Sequence, residues 1–338
     1  MLREIGAALV EVNQPTQLVE GRLVEIAARY TTEPVRVAVL PTVLMVQVGG
    51  HACEVQTSKG STLQLDLAGR ADDIAGRAAV GAIEPAQAVA EIRRARSLPP
   101  RFGPIPSMLG YAAATVGFGM VIYPTWPSLT AYLILGLIVG AIVQLARPFP
   151  ALVTILPVVA AMVVTVLATW FLADTAHDGL LRVITPALVA MLPGISLTVS
   201  AVELAGGQIV SGASRLVYAL AQLGLLIFGV AQGFHFARSV TPLNPAAPMG
   251  SWSLYAAIVV VAVGLYVYLS APPASLPWLI AAIGVALIAQ QLAGKVMPDS
   301  HTGFVGAALV VPFAMLAARI KTGESPILSP PGSRAGLV

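Results

Sequence analysis

From Ala151 to Ala173 the chain runs for 23 residues without one charged side chain. A helix of that length measures about 35 Å, enough to cross a hydrocarbon core of about 30 Å. A soluble core helix needs a polar outer face, and this stretch offers none. The whole chain agrees with it. Of 338 residues, 57% are hydrophobic and 10% charged, where a soluble domain carries about 25% charged residues. That balance excludes an ordinary cytosolic enzyme and a disordered tail protein. The single cysteine, Cys53, excludes an internal disulfide framework.

Charge divides the chain. Residues 1–104 hold 11 of the 19 Lys+Arg and 11 of the 16 Asp+Glu. The expected organisation is a head with its linker at 1–104, a first bundle at 105–237, a second, incomplete bundle at 238–322 and a polar tail at 323–338. A net charge of +3 is too small and too scattered for a nucleic-acid partner. Met1-Leu2-Arg3-Glu4 lacks a basic n-region, so no signal peptide is expected.

In the head, Leu2, Ile5, Leu9 and Val12 recur at helical spacing, as do Val19, Leu23, Ile26 and Tyr30. Asn13-Gln14-Pro15-Thr16 separates the two helices. Alternation at Val35, Val37 and Val39 predicts a strand, with Pro41 marking an edge, a bulge or a bend. Val43–Val48 and Ala52–Thr57 flank Gly49-Gly50 as a hairpin. Leu63, Leu65 and Leu67 alternate as a further strand, and helices are expected over 68–80 and 85–97. His51 and Cys53 are the pair from which a nucleophile could be built. A polar turn residue beside a small buried thiol is the preferred account of them, and the Asp66, Arg70, Asp72, Asp73, Arg77 series reads as a solvated helix face.

In the body, spans are expected near 106–123, 128–146, 151–172, 182–202, 214–236, 252–270, 277–293 and 303–320. Arg93, Arg94, Arg96, Arg101, Arg147, Arg215, Arg319 and Lys321 fall on one side, and Arg182, Arg238 and Lys295 on the other. The positive-inside rule then puts the head in the cytoplasm. Pro-rich turns recur at 123–129 and 272–278, an offset of five spans. An odd offset gives two copies of opposite orientation, as in inverted-repeat transporters; the simpler alternative is that such turns recur between hairpin helices. The predicted fold class is thus a polytopic all-α membrane protein of about eight transmembrane helices, with this possible inverted repeat and a small N-terminal α+β domain.

Span four carries the densest signal. Thr185 and Pro186 open it, and Leu192-Pro193-Gly194 interrupts it just before Ser196, Thr198 and Ser200. Proline removes a backbone donor, and a broken helix at membrane depth is tolerated only within protein or beside a polar cavity. Thr185, Pro193, Gly194, Ser196 and Thr198 are therefore the candidate substrate-binding residues; a simple Pro kink with hydroxyls bonded to the preceding turn is the alternative. Ionisable groups at membrane depth are few. Glu203, with Arg215 as partner, is the first coupling candidate, followed by His235 and the Asp174–Asp178 pair.

The run Leu192-Pro193-Gly194, then Glu203-Leu204-Ala205-Gly206-Gly207-Gln208-Ile209-Val210-Ser211-Gly212-Ala213-Ser214-Arg215, resembles the threonine/serine exporter family. The opening Ile5-Gly6-Ala7-Ala8-Leu9 and Gln14-Pro15-Thr16 resemble that family's cytoplasmic head. The resemblance implies secondary export of small hydroxy amino acids across the bacterial inner membrane, driven by the proton gradient, with no cofactor. It departs at Gln208, where members often carry an acid, and at the C-terminus, where full-length members have a second Pro-Gly helix. A homo-oligomer or a partner chain would then complete the second repeat. The competing class is a membrane-anchored sensor or hydrolase whose active part is the head. A channel would favour a ring of like charges, and one chain displays none. No phosphate-binding loop of the G-x-x-x-x-G-K-[ST] type is present, so direct ATP drive is not expected.

Overall fold

The computed structural model describes residues 1–50, 52–57, 64–171, 180–236 and 247–321. The head opens with α1 (Leu2–Glu11) and α2 (Thr16–Tyr30). Their apolar faces bury Ile5, Leu9, Val19, Leu23 and Ile26 completely. β1 (Val35–Val39), β2 (Val43–Val48) and β3 (Ala52–Thr57) form an antiparallel sheet in the order β1-β2-β3. Val37 faces Val46 across the first pair, and Gln47 faces Cys53 across the second. Pro41 sits in the β1–β2 turn, which Leu40 and Val43 close by reciprocal backbone bonds. The bend is thus the reading that holds.

α3 (Leu65–Ala79) and α4 (Pro85–Ser97) complete the head. The strand expected at Leu63, Leu65 and Leu67 is corrected here: Leu65 and Leu67 lie in α3, and position 63 is outside the described residues. Alternation over three leucines loses to the longer period of Leu67, Ala71, Ile74, Ala75 and Ala78, all of them buried. Glu4 of α1 ties the helices together, 3.0 Å from Arg93 and 3.5 Å from Arg96. Burial raises the Glu4 carboxyl, and the bonds from Arg93 and Arg3 more than offset this, so it is held below the usual carboxylate range.

The body continues with α5 (Pro104–Ile122), α6 (Trp126–Ala146), α7 (Pro150–Phe171), α8 (Leu180–Val189), α9 (Gly194–Ala205) and α10 (Ile209–His235). After these come α11 (Trp252–Tyr268), α12 (Leu276–Ala293) and α13 (Asp299–Lys321). Among the described residues, five helices are long and apolar enough to cross a membrane, and six with the bent α8–α9 pair counted as one span. α11 and the apolar part of α13 are shorter, so the expected count of about eight is not reached by length and composition. Span five starts earlier than expected, at Ile209, and runs for 27 residues. Val217 and Ile227 on α10 are 67% and 70% exposed, as a lipid-facing helix side would be.

α5 and α11 run antiparallel in close contact. A Cβ at Gly110 would lie 2.9 Å from the Gly264 carbonyl oxygen, and one at Gly117 would lie 2.8 Å from the Val261 nitrogen. Partner numbers fall as α5 advances, which fixes the direction. Tyr111 of α5, fully buried and edge-on to Tyr268 of α11, donates to the Ala187 carbonyl at 2.8 Å and so meets a backbone acceptor inside α8.

Candidate functional site

The fourth span is broken where Leu192-Pro193-Gly194 predicts. α8 ends at Val189, α9 begins at Gly194, and the two axes differ by 67°. Pro193 adopts φ −78° and ψ 49°, outside helical geometry. Tight turns bridge the gap, with Met191 N–H to Leu188 O at 2.9 Å and Gly194 N–H to Leu192 O at 2.8 Å. The pair still crosses the bundle. Arg182, at the start of α8, stacks on Tyr123 at the far end of α5, whereas the end of α9 touches the head.

The expected substrate residues divide at this break. Pro193 is buried; the side of Gly194 where a Cβ would stand is open space. Ser196 is half-buried. Thr185 and Thr198, both exposed, donate back to Leu181 O at 2.6 Å and Gly194 O at 2.9 Å. Those two hydroxyls therefore serve their own helices, which is the plain kinked-helix arrangement.

Three turns beyond the break the chemistry changes. The Glu203 side chain is fully buried and Arg215 is 7% exposed, with Nε 3.2 Å from Glu203 Oε2. The pairing expected from sequence is present. Its surroundings were not foreseen. Glu203 Oε1 accepts from the backbone N–H of Thr16, 187 residues earlier, at 2.9 Å. Arg215 donates to Asn13 Oδ1 at 3.1 Å and to the Gln14 carbonyl at 3.5 Å. The Asn13–Thr16 turn of the head is thus clamped between α9 and α10.

Local structure prepares this contact. Asn13 ends α1 with φ 61°, a left-handed conformation asparagine tolerates better than most residues. The bound N–H of Thr16 lies in the first turn of α2, where the helix dipole favours an anion. Gly206 turns α9 toward α10, and a Cβ there would lie 2.6 Å from Gln17 Oε1 of the head. Gly212 lets α10 close on α9: its Cβ would meet Leu204 N at 2.9 Å and Ser200 O at 3.0 Å.

The site is also undersatisfied. Glu203 Oε2 and Arg215 Nε, though 3.2 Å apart, are not aligned for a hydrogen bond. Gln14 Oε1, Thr16 Oγ1 and Ser211 Oγ are likewise buried without one. Together these make five of the six such side-chain atoms among the described residues. Buried polar atoms are nearly always paired, so their concentration at one place marks it.

His235 does not belong to this site. It lies exposed at the C-terminal end of α10, its ring against Phe236. Twenty residues of helix, about 30 Å, separate it from Arg215. It lies at the opposite end of the same helix, so the structure does not bring it together with Glu203 and Arg215. Asp174 and Asp178, and the His51 of the proposed nucleophile pair, lie outside the described residues. Among the described residues no group of His, Cys, Asp and Glu could hold a metal ion.

Sequence reasoning placed Glu203 and Arg215 but missed Asn13, Gln14, Thr16 and Ser211 as parts of the same cluster. Gln14-Pro15-Thr16 and Ser211 both occur in the quoted motifs, so the signal was their co-occurrence with Glu203 rather than any local pattern. A family model described as "Putative threonine/serine exporter" matches residues 1–237, about 70% of the chain, from the head through α10. No curated protein and no solved structure matches the chain.

Proposed function

The chain belongs to the threonine/serine exporter family, and from that premise we propose that it exports small hydroxy amino acids across the cytoplasmic membrane of a bacterium in exchange for protons. The observation that carries this reading is the broken fourth span ending in a buried Glu203–Arg215 pair. Pro193 and Gly194 act as the hinge: with no continuous hydrogen-bond ladder across them, α9 moves as a unit separate from α8. Gly194, Ser196 and the neighbouring backbone line the substrate's path, with Thr185 and Thr198 at its edges.

Glu203 supplies the coupling. A carboxylate holds a proton or a cationic partner, not both at once, and that exclusivity is what exchange requires. Arg215 is the partner that receives the carboxylate when neither is bound. The count of spans is eight, with α11 and α13 crossing as well. α11 supports this by lying antiparallel along α5, and the Thr125–Pro248 bridge joins its start to the far end of α5. The head lies at the end of the bundle that also carries Arg147, whose guanidinium reaches Ser107 at the start of α5. By the positive-inside rule that end is cytoplasmic.

The test is efflux of preloaded threonine from cells with and without the chain. Export that collapses with an uncoupler is expected. Export absent at verified expression, or indifferent to the uncoupler, refutes threonine export or its proton drive respectively.

A further inference from the structure

Five buried side-chain atoms at the head–membrane contact make no hydrogen bond, and they form a recognisable set. Glu203 Oε2 is an anionic acceptor and Arg215 Nε a cationic donor, and neither makes a hydrogen bond to the other. Gln14 Oε1 is a neutral acceptor, and the Thr16 and Ser211 hydroxyls both donate and accept. Thr16, Ser211, Glu203 and Arg215 are each more than nine-tenths buried. Ser211 lies one helical turn before Arg215, on the same face of α10. A partner that pairs these groups carries an ammonium for Glu203, with Gln14 Oε1 as a second acceptor, a carboxylate for Arg215 and a hydroxyl for Thr16 or Ser211.

We propose that the Asn13–Thr16 turn, Glu203, Ser211 and Arg215 together form the loading site for the exported zwitterion, with Thr16 of the head and Ser211 of α10 recognising its hydroxyl. This rests on the exporter reading and adds to it that the head is part of the substrate site. In the arrangement seen here the site satisfies its charges internally, Glu203 against Arg215. An entering zwitterion takes the place of that contact: its ammonium binds Glu203 and its carboxylate binds Arg215. Charge is conserved in the exchange, so no unpaired ion is left buried at either stage. The exchange also loosens the clamp on the head turn, because Arg215 holds Asn13 and Gln14 through the same guanidinium.

The experiment uses the full chain in lipid nanodiscs and titrates L-threonine against L-2-aminobutyrate, in which the hydroxyl is missing. Efflux is measured in parallel in proteoliposomes. The wild-type chain should bind threonine roughly five- to tenfold more tightly, the discrimination of one buried hydrogen bond. Thr16→Val with Ser211→Ala should abolish that preference while leaving 2-aminobutyrate binding within about twofold, since both ion-pair partners remain. A purely structural role would weaken both ligands alike. A double variant that keeps the preference, or loses both ligands together, overturns the inference and leaves hydration as the use of these atoms. The exporter reading then stands or falls separately, on whether the wild-type chain moves threonine.

Discussion

Two side chains of the fourth span are expected to fail in different ways when replaced. Pro193→Ala restores a backbone donor and a residue of better helix propensity, by about 3 kcal/mol in a helix interior. Here the proline lies outside helical geometry, so the gain is smaller and goes toward straightening the span. Thermal unfolding should show no loss, while threonine efflux should fall at least about tenfold, equivalent to about 1.4 kcal/mol on the transport barrier. Efflux at the wild-type rate would remove Pro193 from the mechanism. Glu203→Gln keeps the shape and can still accept from Thr16 N–H, but it cannot exchange a proton. It also leaves Arg215, 7% exposed, without its counter-ion, and breaking a buried pair costs about 3–5 kcal/mol. Comparison therefore needs matched amounts of folded protein. On that footing, gradient-driven efflux should drop to background while some counterflow persists at raised substrate concentration, since the amide oxygen still accepts from the substrate's ammonium without pairing its charge. Full gradient-driven efflux would mean the coupling group lies elsewhere.

At the scale of elements, what the sequence made legible was whatever repeats along the chain. Helical spacing located α1 and α2, and apolar runs located the helices of the body, because such patterns are written in consecutive residues. The Asn13–Thr16 turn has no period. It reads as a loop between two amphipathic helices, and its engagement with Glu203 spans 187 residues, so no local pattern announces it. His235 is the opposite case: an ionisable residue in a long apolar helix is conspicuous in sequence, but its depth depends on where the helix ends. Glu4 shows a polar group whose neighbours decide its role. Its carboxyl sits below its ordinary value of 4.5, so it stabilises the α1–α4 contact above that pH, and the contribution fades as acidification passes through the lower folded value. Hydrogen exchange of the full chain should show α1 and α4 losing protection as pH falls below about 4.5, and Glu4→Gln should flatten that dependence. Equal pH dependence in both chains would place the acid sensitivity in other carboxylates. Between α5 and α11 the limit is space. A side chain at Gly117 meets the Val261 backbone itself, so Gly117→Leu must push the helices apart, at a cost of about 1–3 kcal/mol. Its thermal midpoint should fall accordingly, and an unchanged midpoint would show the helices free to separate.

For the whole molecule the open question is how the two bundles relate. α5 and α11 run in opposite directions, and Gly117 and Gly264 occupy matching close approaches: Gly117 against Val261, Gly264 against Ala114. An offset of 147 residues carries one contact into the other. Any antiparallel pair exchanges this way, so the matching glycines add weight but do not decide. The ends of the next helices do. Nearly the same offset carries Arg147, just after α6, to Lys295, just after α12; both are exposed. An inverted repeat puts these two basic residues on opposite faces of the membrane, and a parallel repeat puts them on the same face. Arg36, exposed on β1, reports the side of the head. Single cysteines at positions 36, 147 and 295, each in a Cys53→Ser background, are to be labelled with an impermeant maleimide in intact cells. Position 295 should label, and 36 and 147 should label only after lysis. Labelling of 147 together with 295 in intact cells would reject the inverted arrangement. Labelling of 36 alone would reject the cytoplasmic head, and with it loading of the Glu203–Arg215 site from the side where an export substrate must enter.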